Sequence, residues 1–231
     1  MALPPSLSPS SILHFWFGSM CDTELRDPSH CGVLTTRGCC SWGFNPLPSF
    51  EKALQESAHL ITAVSNGVGG DEWTSAFGLL AQVIVLDQFT RSIHRGTREA
   101  FQHDERAVEL SRQMVDSGLL HQLKGWQKQF AVMPLMHSEC LDDQDLLVSL
   151  LTEWSKSEPL FRRQIDFAKA HRDVVGRFGR RPQRNFALNR ESTAEELAWF
   201  VSDEMPQWCV TQIPKQTLER LKADKDKGML K

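Results

Sequence analysis

The stretch DEWTSAFGLLAQVIVLDQFTRSIH, residues 71–94, decides the fold. Its apolar residues Trp73, Phe77, Leu80 and Ile84 recur at steps of four, three and four, the period of a helix with one buried face. Gly96 beyond it suits the left-handed residue that follows a helix end. The pattern therefore predicts a helix over 71–94. Continued by the same steps, the stripe lands on Asp87 and then Arg91. A carboxylate and a guanidinium thus stand where the next two core residues are expected.

The same period runs outward in both directions, and almost no segment alternates with a period of two, which points to an all-α chain. Upstream, a short apolar helix is expected at 9–17. After it comes a polar loop at 18–45 holding Cys21, Cys31, Cys39 and Cys40, and then a helix at 48–65 stopped by Asn66-Gly67 and Gly69-Gly70. Downstream, Thr97 caps a helix running to Gly118, and further helices fit 126–139, 142–155, 158–178, 193–202 and 214–226. Ser192 with Glu195 three positions on reads as a capping box. The domain reading is a disordered stretch at 1–11, one helical domain at 12–205 with its irregular cysteine loop at 19–45, and a charged tail at 206–231.

Two more helices repeat the anomaly of the first. Phe130 and Pro134 lead to His137, with Gln144 one heptad on. Leu160, Gln164, Phe167, Val174 and Phe178 flank His171. A lone buried charge costs several kcal/mol, so the economical arrangement lets the three helices present these groups to one another in a shared polar pocket. The plainer alternative makes Asp87 and Arg91 an ion pair on a half-exposed edge, and each histidine a core residue satisfied by a carbonyl. From Arg177 to Arg190 five arginines (Arg177, Arg180, Arg181, Arg184, Arg190) occur before any acid, in a stretch that Gly179 and Pro182 mark as a loop. Such planar forks suit a carboxylate or phosphate. They also suit the carbonyls at helix C-termini.

The chain has 231 residues, 41% hydrophobic and 24% charged, in the range of globular proteins. A formal charge of −3 supplies no field to steer nucleic acid or an anionic membrane, so neither is expected as a partner. Residues 1–11 carry no Lys or Arg, and no run approaches a membrane span, so a reduced, cytoplasmic setting is expected for the cysteines. No CxxC pair and no Gly-rich phosphate loop occurs; no metal is expected, and the residues name no cofactor. Cys140, after His137-Ser138-Glu139, reads more simply as a small hydrophobe than as a thiolate nucleophile.

The runs that stand out also carry a resemblance. LeuAspGlnPheThrArg (86–91), HisArgGlyThr (94–97), ProLeuMetHisSerGlu (134–139), AspGln (143–144), HisArgAsp (171–173), ArgPheGly (177–179), ArgAsn (184–185) and GluSerThr (191–193) resemble the domain of unknown function 924 family, as does HisPheTrpPheGly (14–18). The resemblance covers about 12–200. It implies an antiparallel helix stack, a tetratricopeptide-like superhelical array, with no established activity. The positions matching the family's polar signature are Asp87, Gln88, Arg91, His137, Glu139, Gln144, His171, Arg177, Arg184 and Asn185. The chain departs from the family at Thr90 and Ser92, which replace Pro and Asn, at Arg181, which replaces an aromatic, and at Gln183, which replaces His.

Three functions fit. The first is an internal pocket that binds a small anionic molecule, with Gln88, Arg91, Gln144, His171, Arg177, Arg184 and Asn185 as ligand-binding residues. The second is an enzyme in the same pocket, with His137 as general acid or base positioned by Glu139 or Asp87. The third is an adaptor that takes a protein or peptide in a concave groove.

Overall fold

The computed structural model describes residues 5–17 and 48–228, and the expected cysteine loop lies outside them. Among the described residues every regular element is helical. In chain order the α-helices are α1 (Pro9–Phe17), α2 (Pro48–Glu56), α3 (Ala58–Ser65), α4 (Asp71–Thr74), α5 (Ala76–Val83), α6 (Thr90–Ile93), α7 (Asp104–Asp116), α8 (Trp126–His137), α9 (Leu141–Trp154), α10 (Arg162–Phe178), α11 (Asn185–Leu188), α12 (Ala194–Phe200), α13 (Gln207–Val210) and α14 (Lys215–Asp226). Pro9 to Ser11, assigned from sequence to a disordered N-terminus, form the first turn of α1.

The expected helix over 71–94 is four pieces. Ser75 leaves helical geometry at ψ 164° and its hydroxyl accepts from the Gly78 amide, so it ends α4 and caps α5. The break shifts the register, and Phe77, expected on the buried stripe, is 41% exposed. From Ile84 to Phe89 the chain widens into a π-turn before resuming as α6. Ser57 similarly divides 48–65 into α2 and α3, its buried hydroxyl bonding back to the Ala53 carbonyl at 2.6 Å. The helix expected over 97–118 is a 3-10 turn, Arg98–Phe101, followed by α7. The capping box at the start of α12 lies one residue on from the expected pair: Thr193 accepts from the Glu196 amide, and Glu196 reaches back to the Thr193 amide.

Consecutive long helices pack on one another, α7 on α8, α8 on α9 and α9 on α10, while α1 lies against α5. Ser138 to Cys140 alone joins α8 to α9, a turn of the length that makes an αα-hairpin. An aromatic hub ties the elements that carry the polar residues. Phe15 of α1 stacks on Phe50 of α2 at 4.8 Å, Phe89 of the π-turn meets both Phe15 and Trp16 at 5.7 Å, and Trp16 lies edge-on to Phe130 of α8 at 5.8 Å. The C-terminal segment, expected as a charged tail, supplies Trp208, Cys209, Ile213 and Leu221 to a second apolar cluster with Val174, Trp199 and Phe200.

Helix α4 crosses α5 at Gly78 so closely that a Cβ there would lie 2.1 Å from the Glu72 carbonyl oxygen and 2.5 Å from the Trp73 Cα. Gly176, in the middle of α10, faces nothing nearer than a Leu141 methyl at 3.8 Å. Gly78→Ala is therefore expected to lower stability by about 1–3 kcal/mol, because backbone must move. Gly176→Ala should raise it by about 0.5–1 kcal/mol, because only the unfolded chain loses freedom. Urea unfolding of the two variants checks this; equal effects would deny the close crossing.

Candidate functional site

The π-turn is the starting point. Thr90 is buried, and its hydroxyl donates to the carbonyl five residues back, at Val85. The wider turn carries Asp87, whose side chain is completely buried. π-turns inside helices concentrate at functional sites because they shift the side chains that follow. Four residues on, Arg91 returns over the carboxylate, with Nη2 at 3.3 Å from Asp87 Oδ1. The same guanidinium grips Asp104, the first residue of α7, with two bonds of 2.8 and 2.9 Å, and donates to the Ala100 carbonyl at 2.9 Å. One guanidinium thus bridges two carboxylates.

His137, the last residue of α8, completes the group. Its Nδ1 lies 2.7 Å from Asp87 Oδ1 and 3.2 Å from Arg91 Nε. A neutral ring nitrogen cannot donate to the one and accept from the other. We assign the proton to Nδ1, donating to Asp87, because that contact is shorter and its acceptor is ionised. Burial opposes ionisation of Asp87, but Arg91 and His137 overcome it and hold the carboxyl well below the usual carboxylate range. Burial, reinforced by Arg91, pushes the imidazole down to about 4 against the pull of Asp87, so the ring is neutral at pH 7. Gln88 donates to the other Asp87 oxygen.

The end of α8 gathers a second set of donors. Gln144 gives its amide N–H to the carbonyls of Leu135, Met136 and Ser138 at 3.2, 2.9 and 2.8 Å. Arg181 donates to Met136 O, and Arg184 donates to His137 O at 2.6 Å. Three side chains thereby satisfy carbonyls that a helix end leaves without partners. Arg184 also reaches Asp104 at 3.1 Å, and both Arg184 and Arg91 lie over the Phe101 ring, at 4.7 and 5.5 Å. Arg181 lies over Trp208 at 5.2 Å, and burial pushes its guanidinium down to about 9, still charged at neutral pH.

Of the residues singled out from sequence, Asp87, Gln88, Arg91, His137 and Arg184 meet in one network. The others are placed differently. Glu139, expected beside His137, gives its carboxylate to Arg190 at 2.7 and 2.9 Å and to the Arg181 amide at 2.8 Å. Asn185 links Arg190 to Glu196, which in turn holds Arg180. These two residues brace the loop between α10 and α12. Gln144 is a helix cap. His171 stacks on Trp208 at 3.7 Å, with Nδ1 at 2.8 Å from the Phe167 carbonyl of its own helix, and burial together with Arg181 holds it well below its ordinary pKa. Arg177 is half-exposed and pairs with Glu195 and Glu204 at 2.9 Å.

The sequence reading missed Asp104, whose position at a helix start reads as ordinary complementarity to the helix dipole. It also missed the burial of Arg181 and Gln183, which are 1% and 0% exposed. The change from an aromatic to Arg at 181 was the available signal. Among the described residues no group of His, Cys, Asp and Glu side chains is placed to hold a metal ion, and no helix is long and apolar enough to cross a membrane.

The chain belongs to the family described as "Bacterial protein of unknown function (DUF924)", whose model matches residues 12–204. A solved structure of a protein of unknown function from Agrobacterium tumefaciens is similar in fold, with a TM-score of 0.58 and 23% identity over 83% of this chain and 95% of that one. No curated protein matches.

The depressed pKa of His137 makes a stability prediction. The unfolded chain takes up a proton near pH 6.5 and the folded one near 4, so stability is complete above 6.5 and falls as the pH drops toward 4, by on the order of 3 kcal/mol for this ring. His171, shifted the same way, adds its own loss. His137→Asn keeps an N–H for Asp87 and removes one titration, so the fall between pH 7 and 4.5 should be smaller than in the parent. Urea midpoints across that range measure it, and an unchanged slope would contradict the buried neutral imidazole.

Proposed function

We propose that this chain is a ligand-binding helical domain that takes a small anion, a carboxylate or phosphate, against Arg181 and Arg184 at the end of α8. The observation that carries the reading is a charge without a counterpart. Arg91 and Arg184 are matched by Asp87 and Asp104, Arg190 by Glu139 and Arg180 by Glu196. Among the described residues no carboxylate pairs with Arg181, which is 1% exposed. The end of α8 offers it only a partial negative charge. The Nε atoms of Arg181 and Arg184 and both amide atoms of Gln183 are buried and have no hydrogen-bond partner among the described residues, at a cost of about 1–3 kcal/mol for each such group. An acceptor placed against the three nitrogen donors, Arg181 Nε, Arg184 Nε and Gln183 Nε2, meets both the unpaired charge and the unused N–H groups.

A catalytic reading rests on the Asp87–His137 hydrogen bond, with Asp87 as the positioning residue and the ring as general base. The low pKa of the imidazole favours binding over acid catalysis, since a ring neutral at pH 7 has no second proton to give.

Thermal unfolding against acetate, lactate, phosphate and sulfate tests the binding reading. An anion present at a hundred times its Kd should raise Tm by roughly 5–10 °C. Arg181→Met should lose that increment while keeping or raising the unliganded Tm, because an apolar side chain replaces a buried unpaired ion. Equal increments in the variant and the parent would remove Arg181 from the site.

A further inference from the structure

We infer that the ligand of this site carries a single negative charge, as a monocarboxylate or sulfonate does, and that a phosphate dianion is rejected. The inference rests on the binding reading above and narrows it to a class. It follows from the count of fixed charges around the end of α8. The two-carboxylate, two-guanidinium group formed by Asp87, Asp104, Arg91 and Arg184 is neutral in itself, as are the Glu139–Arg190 and Glu196–Arg180 pairs. Cys209, which lies near Arg181, is a neutral thiol, since burial pushes its pKa up to about 12. His137 and His171 are neutral. Among the described residues Arg181 is left as one surplus positive charge with 1% of its surface exposed, and one negative charge neutralises it.

Among the described residues around the end of α8 a second negative charge has no free cation to meet. Arg91, Arg184, Arg190 and Arg180 each already hold a carboxylate, and Arg184 lies within the electrostatic reach of Asp104, Glu139 and Asp87. A dianion would sit among those carboxylates with one charge uncompensated, and burying such a charge costs several kcal/mol.

Methanesulfonate and methyl phosphate share a tetrahedral head and differ by one charge at pH 7.5, so the pair isolates charge from shape. Titration calorimetry of the full chain at fixed ionic strength should show acetate and methanesulfonate binding, with methyl phosphate at least tenfold weaker at pH 7.5. At pH 5.5 a phosphate monoester is largely monoanionic, its second ionisation lying near pH 6, and the gap should close. Over that range His137 stays neutral and Asp87, Glu139 and Glu196 stay ionised. Outside the cluster His103, beside Asp104, is itself shifted down by burial. Arg181→Lys, which keeps the charge, should preserve the preference, and Arg181→Met should abolish binding. Methyl phosphate binding at pH 7.5 as tightly as methanesulfonate would overturn the charge assignment while leaving the binding reading. No binding of any of the three anions, or undiminished binding in Arg181→Met, would overturn the binding reading itself.

Discussion

A carboxylate with no access to water must keep company with cations and donors, and the rest of this molecule is arranged around that demand at Asp87. Its side chain is completely buried, and it stays ionised because Arg91 and His137 reach it from two directions. Arg91 does so from the position four residues after Asp87, across the end of the π-turn, and His137 from the last residue of α8. The aromatic hub of Phe15, Trp16, Phe50, Phe89 and Phe130 holds those segments together. The polar group is thus backed by buried aromatic side chains, which keep water out and strengthen each interaction inside.

Buried ion pairs of this kind add little net stability, since desolvation consumes most of the Coulombic gain. What they fix is geometry. Arg91 and Arg184 share Asp104 and lie over the same Phe101 ring, so α7, the π-turn and the loop after α10 have one register in which all the charges are satisfied. The Glu139–Arg190 and Glu196–Arg180 pairs do the same for the loop itself, and the capping box of α12 shares Glu196 with Asn185. Removing Arg91 would leave the fully buried Asp87 without its cation, which is the costly outcome.

Much of this was legible in the sequence because a charge on an apolar stripe is an energetic contradiction that only tertiary contact resolves. The step from Ile84 to Asp87 to Arg91 told which residues turn inward, and His137 followed from Phe130 and Pro134. Convergence was one of the two arrangements those stripes allowed; His171 takes the other, bonded to a carbonyl of its own helix. The local breaks were illegible for the opposite reason. Ser57 and Ser75 interrupt helices by hydrogen-bonding to nearby backbone, a choice that any helical serine has available and that packing decides. Phe77 turned outward as a consequence of Ser75, and no periodicity that ignores the break could show it. Glu139 and Asn185 were read as site residues because they match the polar signature of the resembled family; in three dimensions their hydrogen bonds are consumed by the arginine loop.

That loop answers both readings of its arginines. Arg181 and Arg184 do bond carbonyls at the end of α8, as the helix-end interpretation requires, and Arg177 is a surface ion pair. Yet carbonyl contact accounts for one N–H of Arg181 and leaves its full charge in an apolar setting between Trp208 and the end of α8. A neutral side chain at 181 would leave Met136 O still bonded to Gln144, so capping alone gives no reason for a guanidinium there. Among the described residues Arg181 is therefore a buried cation held by a carbonyl and an aromatic face, with no carboxylate paired to it.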